Sequence, residues 1–233
     1  DTTNHRFVSG TSDPTITQGS PPSNGPNALV TQSIYDIRGL ATTIVHAGGR
    51  IDRTIVDALG RTIATVENEH EVDEENPAVS LSWNGGAENW DVDGASTAND
   101  EDRITTFVHN GIGLLVKMTA IANEDTGNGE DQVTVYAYGV SEVDYPPGEG
   151  VNLAPSAITS NDILKSITYP PGSASTGFLT VYYGYNRQSE IVTTVDQNDT
   201  IHTFTRDALG RVTRDLAATE LATLDATIDR LDA

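Results

Sequence analysis

Oxygen-bearing side chains recur at short, regular spacing in the segment NWDVDGASTAND, which begins at Asn89. Counted as a twelve-residue loop, the segment has the ligand spacing of an EF-hand-type calcium site, in which several oxygens converge on the ion. Gly94 would take the sixth position, where the chain must turn sharply. The predicted calcium ligands are Asn89, Asp91, Asp93, Ala95 and Asp100. The alternative is a solvated acidic loop that binds no cation.

Two tryptophans, Trp83 and Trp90, lie next to this acidic segment. An exposed aromatic ring can stack on the flat face of a sugar, so both residues are candidates for contact with a glycan ligand. The alternative is that the two rings pack within the protein, which is the more common use of aromatic side chains near a loop.

Catalytic motifs are absent from the sequence. It contains no cysteine, which excludes disulfides, thiolate metal sites and a cysteine nucleophile. It contains no G-x-S-x-G, P-loop or HExxH motif, and its five histidines lack metal-ligand spacing. The sequence therefore predicts a protein that is not an enzyme and that binds no cofactor other than calcium.

The charge of the chain is strongly acidic, with 34 Asp and Glu residues against 13 Lys and Arg and a formal net charge of −21. Nucleic acids and anionic membrane surfaces are bound by clustered Lys and Arg. No apolar run reaches the length of about 18 residues that a membrane-spanning helix requires. We therefore expect neither a nucleic-acid partner nor membrane insertion.

The pentapeptide DALGR occurs twice, starting at Asp57 and at Asp207. In both copies an aligned Asp or Asn, Asp36 or Asn186, lies 21 residues earlier, so the pentapeptide is part of a longer repeat. Its glycine supplies the positive φ that a tight turn needs, and the following Arg starts the next strand close enough to pair with the Asp. A charged pair in every repeat favours an architectural role over a catalytic one.

The unit Tyr-Asp-x-x-Gly-Arg, followed by a β stretch at a step of about 20 residues, resembles the YD repeat of the RHS family. It is carried between Ser33 and Thr213 by YDIRGL, VDALGRTIATV, VHNGIGLLVKMT, YNRQSEIVTTV and RDALGRVT. The sequence of these segments is similar to that of large secreted or cell-surface proteins of planctomycete-like bacteria. Those proteins are related to toxin-complex shells and teneurins. The repeat-turn residues, structural in this interpretation, are Tyr35, Asp36, Gly39, Asp57, Gly60, Arg61, Tyr185, Asp207, Gly210 and Arg211.

The resemblance implies an all-β fold in which antiparallel β-hairpin repeats form a curved open sheet. Residues 1–33, rich in Gly, Pro, Ser and Asn, predict an extended N-terminal arm. Residues 34–214 form the repeat domain, with an acidic, loop-like insertion at 68–102. Residues 215–233 place apolar side chains on one helical face, which predicts a short C-terminal helix or else the start of a further repeat.

These observations predict a structural YD-repeat module, extracellular or on the cell surface, that self-assembles into a fibre, a shell or an adhesive surface. The N-terminal arm and the sheet edges are the expected contact sites, since an open strand edge pairs readily with another chain. One alternative is a surface module that binds a carbohydrate or another partner. A second is a fragment of an RHS shell that encloses a toxin. Because the chain starts at Asp1, we expect it to be processed, trimmed or a fragment.

Overall fold

The computed structural model describes residues 29–69, 78–95, 102–122, 131–141, 156–171 and 179–218. Within these ranges the protein is all β, with fourteen strands and no helix, which confirms the predicted fold class. The strands are β1 Gln32–Tyr35, β2 Ala41–Val45, β3 Ile51–Val56, β4 Thr62–Glu69, β5 Ser80–Asn84, β6 Asn89–Asp93, β7 Arg103–His109, β8 Leu115–Ala120, β9 Gln132–Val140, β10 Ser160–Tyr169, β11 Leu179–Tyr185, β12 Ile191–Val195, β13 Ile201–Arg206 and β14 Val212–Ala218.

Hydrogen bonding links twelve of these strands in the order β1-β2-β3-β4-β7-β8-β9-β10-β11-β12-β13-β14, and β5 pairs with β6 separately. The pairs run antiparallel, as chain-order neighbours joined by short turns must. The chain divides into two compact units, residues 1–108 with 119–131 and residues 109–118 with 132–233. The two units are described separately below.

The core of the first unit lies between its sheet and the β5–β6 hairpin. Val66 on β4 and Ile104 on β7 are buried against Val79, which precedes β5. Ile55, Val92 and Ile121 are partly buried against this group. The hairpin therefore covers one face of the sheet and supplies the apolar surface that an isolated sheet would leave in water.

The expectation that residues 68–102 are loop-like is wrong for 80–84 and 89–93, which are the paired strands β5 and β6. In β5, Leu81 and Trp83 alternate with serines, which is the period of a half-buried strand. The acidic residues around this short alternation concealed it in the sequence. Residues 70–77 and 96–101 lie outside the described residues.

A buried ion pair fastens the start of this insertion to the sheet. Arg53 on β3 donates through Nε to Glu69 Oε2 at 2.8 Å and through Nη2 to Glu69 Oε1. The same Nη2 donates to the carbonyl oxygen of Val79, whose own N–H donates to Glu69 Oε1 at 3.3 Å. Glu69 is 7% exposed, so this network satisfies a charge that would otherwise be costly to bury.

The second unit is centred on Tyr185, Val195 and Ile201, which are all buried. The Tyr185 hydroxyl donates to the carbonyl oxygen of Leu164 at 2.7 Å, and its backbone N–H donates to Ser156 Oγ at 3.2 Å. Burial is the main cause of a raised pKa of the Tyr185 phenol, and the neighbouring Tyr183 raises this pKa further. Tyr185 thus joins β11 to β10 and to the segment before it.

The ends of the predicted repeat domain shift slightly. Gln32 and Ser33, assigned to the N-terminal arm, belong to β1, and residues 1–28 lie outside the described residues. Residues 215–218, where the predicted C-terminal segment begins, continue β14. The remaining residues, 219–233, are also outside the described part of the chain. In the described ranges no helix has the length and apolar character needed to cross a membrane.

Candidate functional site

The hairpin connection that begins at Asp57 shows the local geometry of the repeat. The Asp57 N–H donates to the carbonyl oxygen of Arg61, and the Gly60 N–H donates to that of Asp57, both at 2.9 Å. The Asp57 Oδ1 atom accepts the backbone N–H groups of Leu59 and Arg61, also at 2.9 Å. This is a tight turn closed by a side-chain acceptor, followed by a positive-φ residue that forms a bulge.

Seven connections in the described residues have this ring of backbone hydrogen bonds. The first residue of each is, in order, Asp36, His46, Asp57, Asn110, Asn186, Asp196 and Asp207. The fourth residue has positive φ and is Gly39, Gly49, Gly60, Gly113, Ser189, Asp199 or Gly210. Turns therefore recur every 10 or 11 residues within 36–57 and within 186–207, and the 21-residue step seen in the sequence spans two of them.

The turns that start at His46 and Asp196 have the same geometry without the letters of DALGR. Their physical signal is a residue able to adopt positive φ three positions after the first. Gly49 meets this requirement with φ 90°, and Asp199 with φ 59°. Asp and Asn tolerate this conformation better than most residues with a side chain.

An Asp–Arg ion pair closes both DALGR turns. Asp57 Oδ2 accepts from Arg61 Nε at 2.7 Å and Nη2 at 2.6 Å. Asp207 Oδ2 accepts from Arg211 Nε at 2.8 Å and Nη2 at 2.7 Å. Both carboxylate oxygens are thus occupied, one by backbone N–H groups and the other by a guanidinium.

In the first turn the second carboxylate oxygen of Asp36 is also bound by an arginine, but the arginine occupies a different position. Leu40 occupies the fifth position, and Arg38 at the third position donates through Nε to Asp36 Oδ2 at 2.8 Å. In the turn that starts at Asn186, the Asn186 side-chain amide donates to Glu190 Oε2 at 2.7 Å. In both turns the first residue, Asp36 or Asn186, still accepts two backbone N–H groups, so the turn tolerates a change in the partner of its first side chain.

The turn carboxylates hold lowered pKa values. For Asp36 the main cause is the Leu40 N–H, which outweighs partial burial and is reinforced by Arg38. For Asp57, burial raises the pKa but is outweighed by the N–H and guanidinium of Arg61. For Asp207 the side chain of Arg211 is the main cause of the lowered pKa. Each carboxylate is thus stabilised as the anion at neutral pH.

Consecutive turns at the same end of the strands stack on each other. In the first turn pair, residues 36–40 and 57–61, Arg38 Nη1 donates to the carbonyl oxygens of Asp57 at 3.0 Å and Ala58 at 3.2 Å. The side chain of Leu40 lies against Gly60, where a Cβ would be 3.3 Å from Leu40 Cδ1. The two turns are therefore joined by both polar and apolar contacts.

The second turn pair, residues 186–190 and 207–211, occupies the equivalent place in the second unit. Arg206 Nη1 donates to the carbonyl oxygen of Gly210 at 2.7 Å, and its Nη2 donates to that of Ile191 at 2.8 Å. A Cβ on Gly210 would collide with the Glu190 carboxylate, whose side chain would have to shift to make room for it. An open cleft of about 480 Å³ lies between these two turns, and its walls are partly polar and partly apolar.

Large apolar side chains lie exposed at the tips of four of these turns. Ile37 is 84% exposed, Leu59 79%, Ile112 69% and Leu209 78%. Each is the second or third residue of its turn, and its side chain extends into solvent instead of packing within the turn. The sequence repeat alone did not single out these residues.

The predicted calcium ligands are only partly described. Asn89, Asp91 and Asp93 lie on strand β6, and Asp91 accepts from the side-chain amide of Asn84 at 3.1 and 3.2 Å. Ala95 follows the strand, while Asp100 is outside the described residues. No group of three or more His, Cys, Asp or Glu side chains is placed to hold a metal in the described part of the chain. Calcium binding stays a prediction.

The two tryptophans form a cross-strand pair on the β5–β6 hairpin. Their ring centroids are 5.1 Å apart in a T-shaped arrangement. Trp90 Nε1 donates to the carbonyl oxygen of Phe107 at 3.0 Å, which directs this ring onto the sheet of the first unit. Trp83 is 49% exposed and is the ring of the pair that can meet a ligand.

Comparison with known proteins finds no matching family model and no matching curated protein. Among solved structures, a chain of the TcdB2-TccC3-Cdc42 crystal structure is 15% identical, with a TM-score of 0.44 over 83% of this chain and 9% of that chain. A chain of the TcdB2-TccC3-TEV crystal structure is 15% identical, with a TM-score of 0.42 over 82% of this chain and 9% of that chain. A chain of the Photorhabdus luminescens Tc holotoxin pore is 12% identical, with a TM-score of 0.16 over 80% of this chain and 15% of that chain. The chain covers less than a sixth of the length of these matched chains. Its resemblance to YD repeats rests on the geometry of the turns.

Proposed function

We propose that this chain is a non-enzymatic structural module, a length of YD-repeat wall from a secreted or cell-surface RHS-type protein. Its work is to present a continuous antiparallel sheet that joins to further sheet of the same kind. The single observation that carries the proposal is the recurrence of one hydrogen-bonded turn at seven places in the described ranges of the chain. A device repeated along a chain at a fixed step builds architecture.

The occupancy of the turn carboxylates supports a structural role over a catalytic one. Both oxygens of Asp57 and of Asp207 already accept hydrogen bonds from their own turn. A general acid or base needs an oxygen that can reach a substrate proton. The cleft beside Asp207 is open to solvent and its walls carry no histidine, serine or cysteine.

The strands at the two ends of the sheet order support assembly by strand addition. Within the described residues, β1 pairs with β2 and β14 with β13, and neither has a second neighbour. Such strands present one row of backbone N–H and C=O groups that further repeats or another chain can complete. A fibre, a shell that encloses cargo and an adhesive surface all follow from the same addition of strands.

Sedimentation velocity of the purified 233-residue chain tests this proposal. We expect association that rises with concentration and that weakens when Ile34→Lys on β1 and Val212→Lys on β14 place charge on the end strands. The control is Val135→Lys on the interior strand β9, where a side chain of similar exposure receives one of the two charges that the end-strand variant carries. Equal association of the end-strand variant and the control would contradict assembly through strand edges.

A second function, binding of a glycan or another surface partner, is favoured by Trp83. This ring is half exposed and is held in place by Trp90, whose own position is fixed by Phe107. A glycan array probed with the chain and with Trp83→Ala tests it, with Leu59→Ala as a control that removes an exposed apolar side chain elsewhere. Binding that Trp83→Ala abolishes supports this function, and absence of binding to any glycan argues against the carbohydrate form of it.

A further inference from the structure

We propose that the turn tips form a second association surface, by which one copy of this chain docks turn-to-turn against another copy. This inference rests on the proposed structural function but uses a different part of the molecule, since the end strands associate through backbone groups and the tips through side chains. Each unit carries its own surface of this kind, called a turn face below: the first turn pair in one unit and the second turn pair in the other.

The turn face is apolar where a turn is ordinarily polar. Turn tips favour Gly, Asn, Asp and Ser because these residues suit the backbone and solvent. Ile37, Leu59 and Leu209 stand at such tips with about four-fifths of their surface in water. Single exposed apolar residues are common, but their return at the second or third position of three repeated turns calls for a partner.

The opposite ends of the same strands lack this feature. Successive turns of an antiparallel sheet alternate between its two ends, so the turns that start at His46 and Asp196 lie opposite the turn pairs. Their tips are Ala47–Gly48 and Gln197–Asn198. The apolar tips are therefore a property of one end of the strands and do not follow from the turn geometry itself.

Charge favours a second copy of the chain as the occupant. The chain carries a net charge of −21, so most approaches between copies meet like-charge repulsion. In the first turn pair the two aspartates are balanced by Arg38 and Arg61. In the second pair the acids Glu190 and Asp207 are accompanied by Arg187 and Arg211 within the turns and by Arg206 directly before the second turn. The turn face is therefore neutral to slightly basic on a strongly acidic chain, and copies meet there with least repulsion.

Spacing also suits a self-complementary contact. Stacked turns are two strands apart, which sets them about 9–10 Å from each other. The tips of one copy thus form a short row of apolar side chains, against which the same row of a second copy can pack in a contact of a surface with itself. The contact is smaller than a standard interface of about 1,600 Å², so we expect weak association that strengthens when many copies align.

Site-specific cross-linking tests the turn face directly, because the native chain has no cysteine. Leu59→Cys and Leu209→Cys variants should form disulfide-linked dimers at least tenfold faster than Asn198→Cys, an exposed residue of the turn that starts at Asp196. Equal rates for the three variants would overturn the proposal. Replacement of exposed tips is not expected to disturb folding, and thermal melts of each variant check this.

Sedimentation equilibrium separates this proposal from strand addition. Leu59→Asp/Leu209→Asp should raise the dissociation constant at least tenfold, while Gln197→Asp/Asn198→Asp, with the same added charge, should change it less than twofold. High salt should preserve wild-type association, since the contact is apolar and screening reduces the overall repulsion. If the tip variant associates like wild type while Ile34→Lys/Val212→Lys does not, the turn face is refuted and strand addition stands. The reverse result supports the turn face and refutes strand addition.

Discussion

Arg61 satisfies both carboxylate oxygens of Asp57 on its own, its backbone N–H lying 2.9 Å from Oδ1 and its Nε 2.7 Å from Oδ2. One residue therefore closes the turn through the backbone and neutralises the charge that the turn requires. Arg211 and Asp207 repeat the arrangement at 3.0 and 2.8 Å. The repeated unit of this protein is thus a self-contained turn that needs no other part of the chain to satisfy its first residue.

Asp57→Ala should lower the melting temperature by about 2–4 °C, because it removes the acceptor for two backbone N–H groups as well as the ion pair. Asp57→Asn should cost less, since the amide oxygen can still accept from Leu59 and Arg61, as the side chain of Asn110 does in its own turn. Thermal melts at pH 7 followed by circular dichroism measure both. Equal losses for Asn and Ala would show that the ion pair, and not the turn acceptor, dominates.

Acid should destabilise the protein in a defined window. The pKa values of Asp36, Asp57, Asp196 and Asp207 are lowered from 3.8 in the folded state. A lowered folded pKa means that the unfolded chain takes up protons first, so this stability is complete above about pH 4 and is lost as the pH falls through the folded values. Melting temperatures from pH 7 to pH 2 measure it.

The matched variant for the acid experiment is Asp57→Asn/Asp207→Asn, which cannot titrate at these positions. Its deficit in melting temperature relative to wild type should be constant from pH 7 to about pH 5 and should shrink below about pH 4. A deficit that stays constant down to pH 2 would contradict the assignment of this stability to the turn carboxylates.

Alanine substitution at two glycines distinguishes the cost of backbone strain from the cost of a side-chain collision. Gly49 has φ 90° and a Cβ added there would meet no atom within 4 Å, whereas Gly210 has φ 78° and faces the Glu190 carboxylate. Gly49→Ala should cost about 1–2 kcal/mol from strain alone. Gly210→Ala should cost more, and Glu190→Ser should recover the excess without affecting Gly49→Ala. Urea denaturation of the single and double variants measures these differences, and the absence of recovery would refute the collision.

The Arg53–Glu69 pair should hold the β5–β6 hairpin on the sheet. Arg53→Met leaves Glu69 buried without its cation and should cost about 3–5 kcal/mol. Both tryptophans of the chain lie on this hairpin, so tryptophan fluorescence reports its environment. We expect a red shift of emission in the variant at denaturant concentrations where the circular dichroism of the sheet is still native. A paired Arg53→Met/Glu69→Leu variant should regain part of the loss, and no regain would argue against a buried ion pair.

Calcium should raise the melting temperature if the segment that starts at Asn89 binds it, because a ligand bound only to the folded state stabilises that state. Differential scanning calorimetry with calcium, and again after chelation, measures the shift. Asp91→Asn should reduce it, while Asp162→Asn on β10 should not. A melting temperature indifferent to calcium and to chelator would contradict the predicted site.

The turns and the all-β class were accessible from the sequence because they depend on local chemistry. An Asp, a positive-φ Gly and a following Arg specify the DALGR turn within five residues. The turn that starts at Asp196 lacks the repeated letters because Asp199 stands where most of the other turns have glycine. The β5–β6 hairpin was missed because its alternation covers only Leu81 and Trp83 before the glycine-rich turn.

Contacts between distant parts of the chain were not accessible. The Arg53–Glu69 pair depends on the register of β3 with β4, and the collision at Gly210 depends on which turns stack. The exposure of Leu59 and Leu209 likewise follows from their place at the tips, since an apolar residue in a repeat is ordinarily expected in the core. These features depend on which strands and turns lie next to each other in the fold. The spacing of residues along the sequence does not reveal this.

Electron microscopy of the purified chain tests the central claim, that this is a structural module built to join its own kind. At rising concentration the account predicts extended or closed assemblies of sheet, which Ile34→Lys/Val212→Lys reduces and Val135→Lys leaves intact. Separate particles of 24.8 kDa at every concentration, for the wild-type chain and all variants alike, would contradict it.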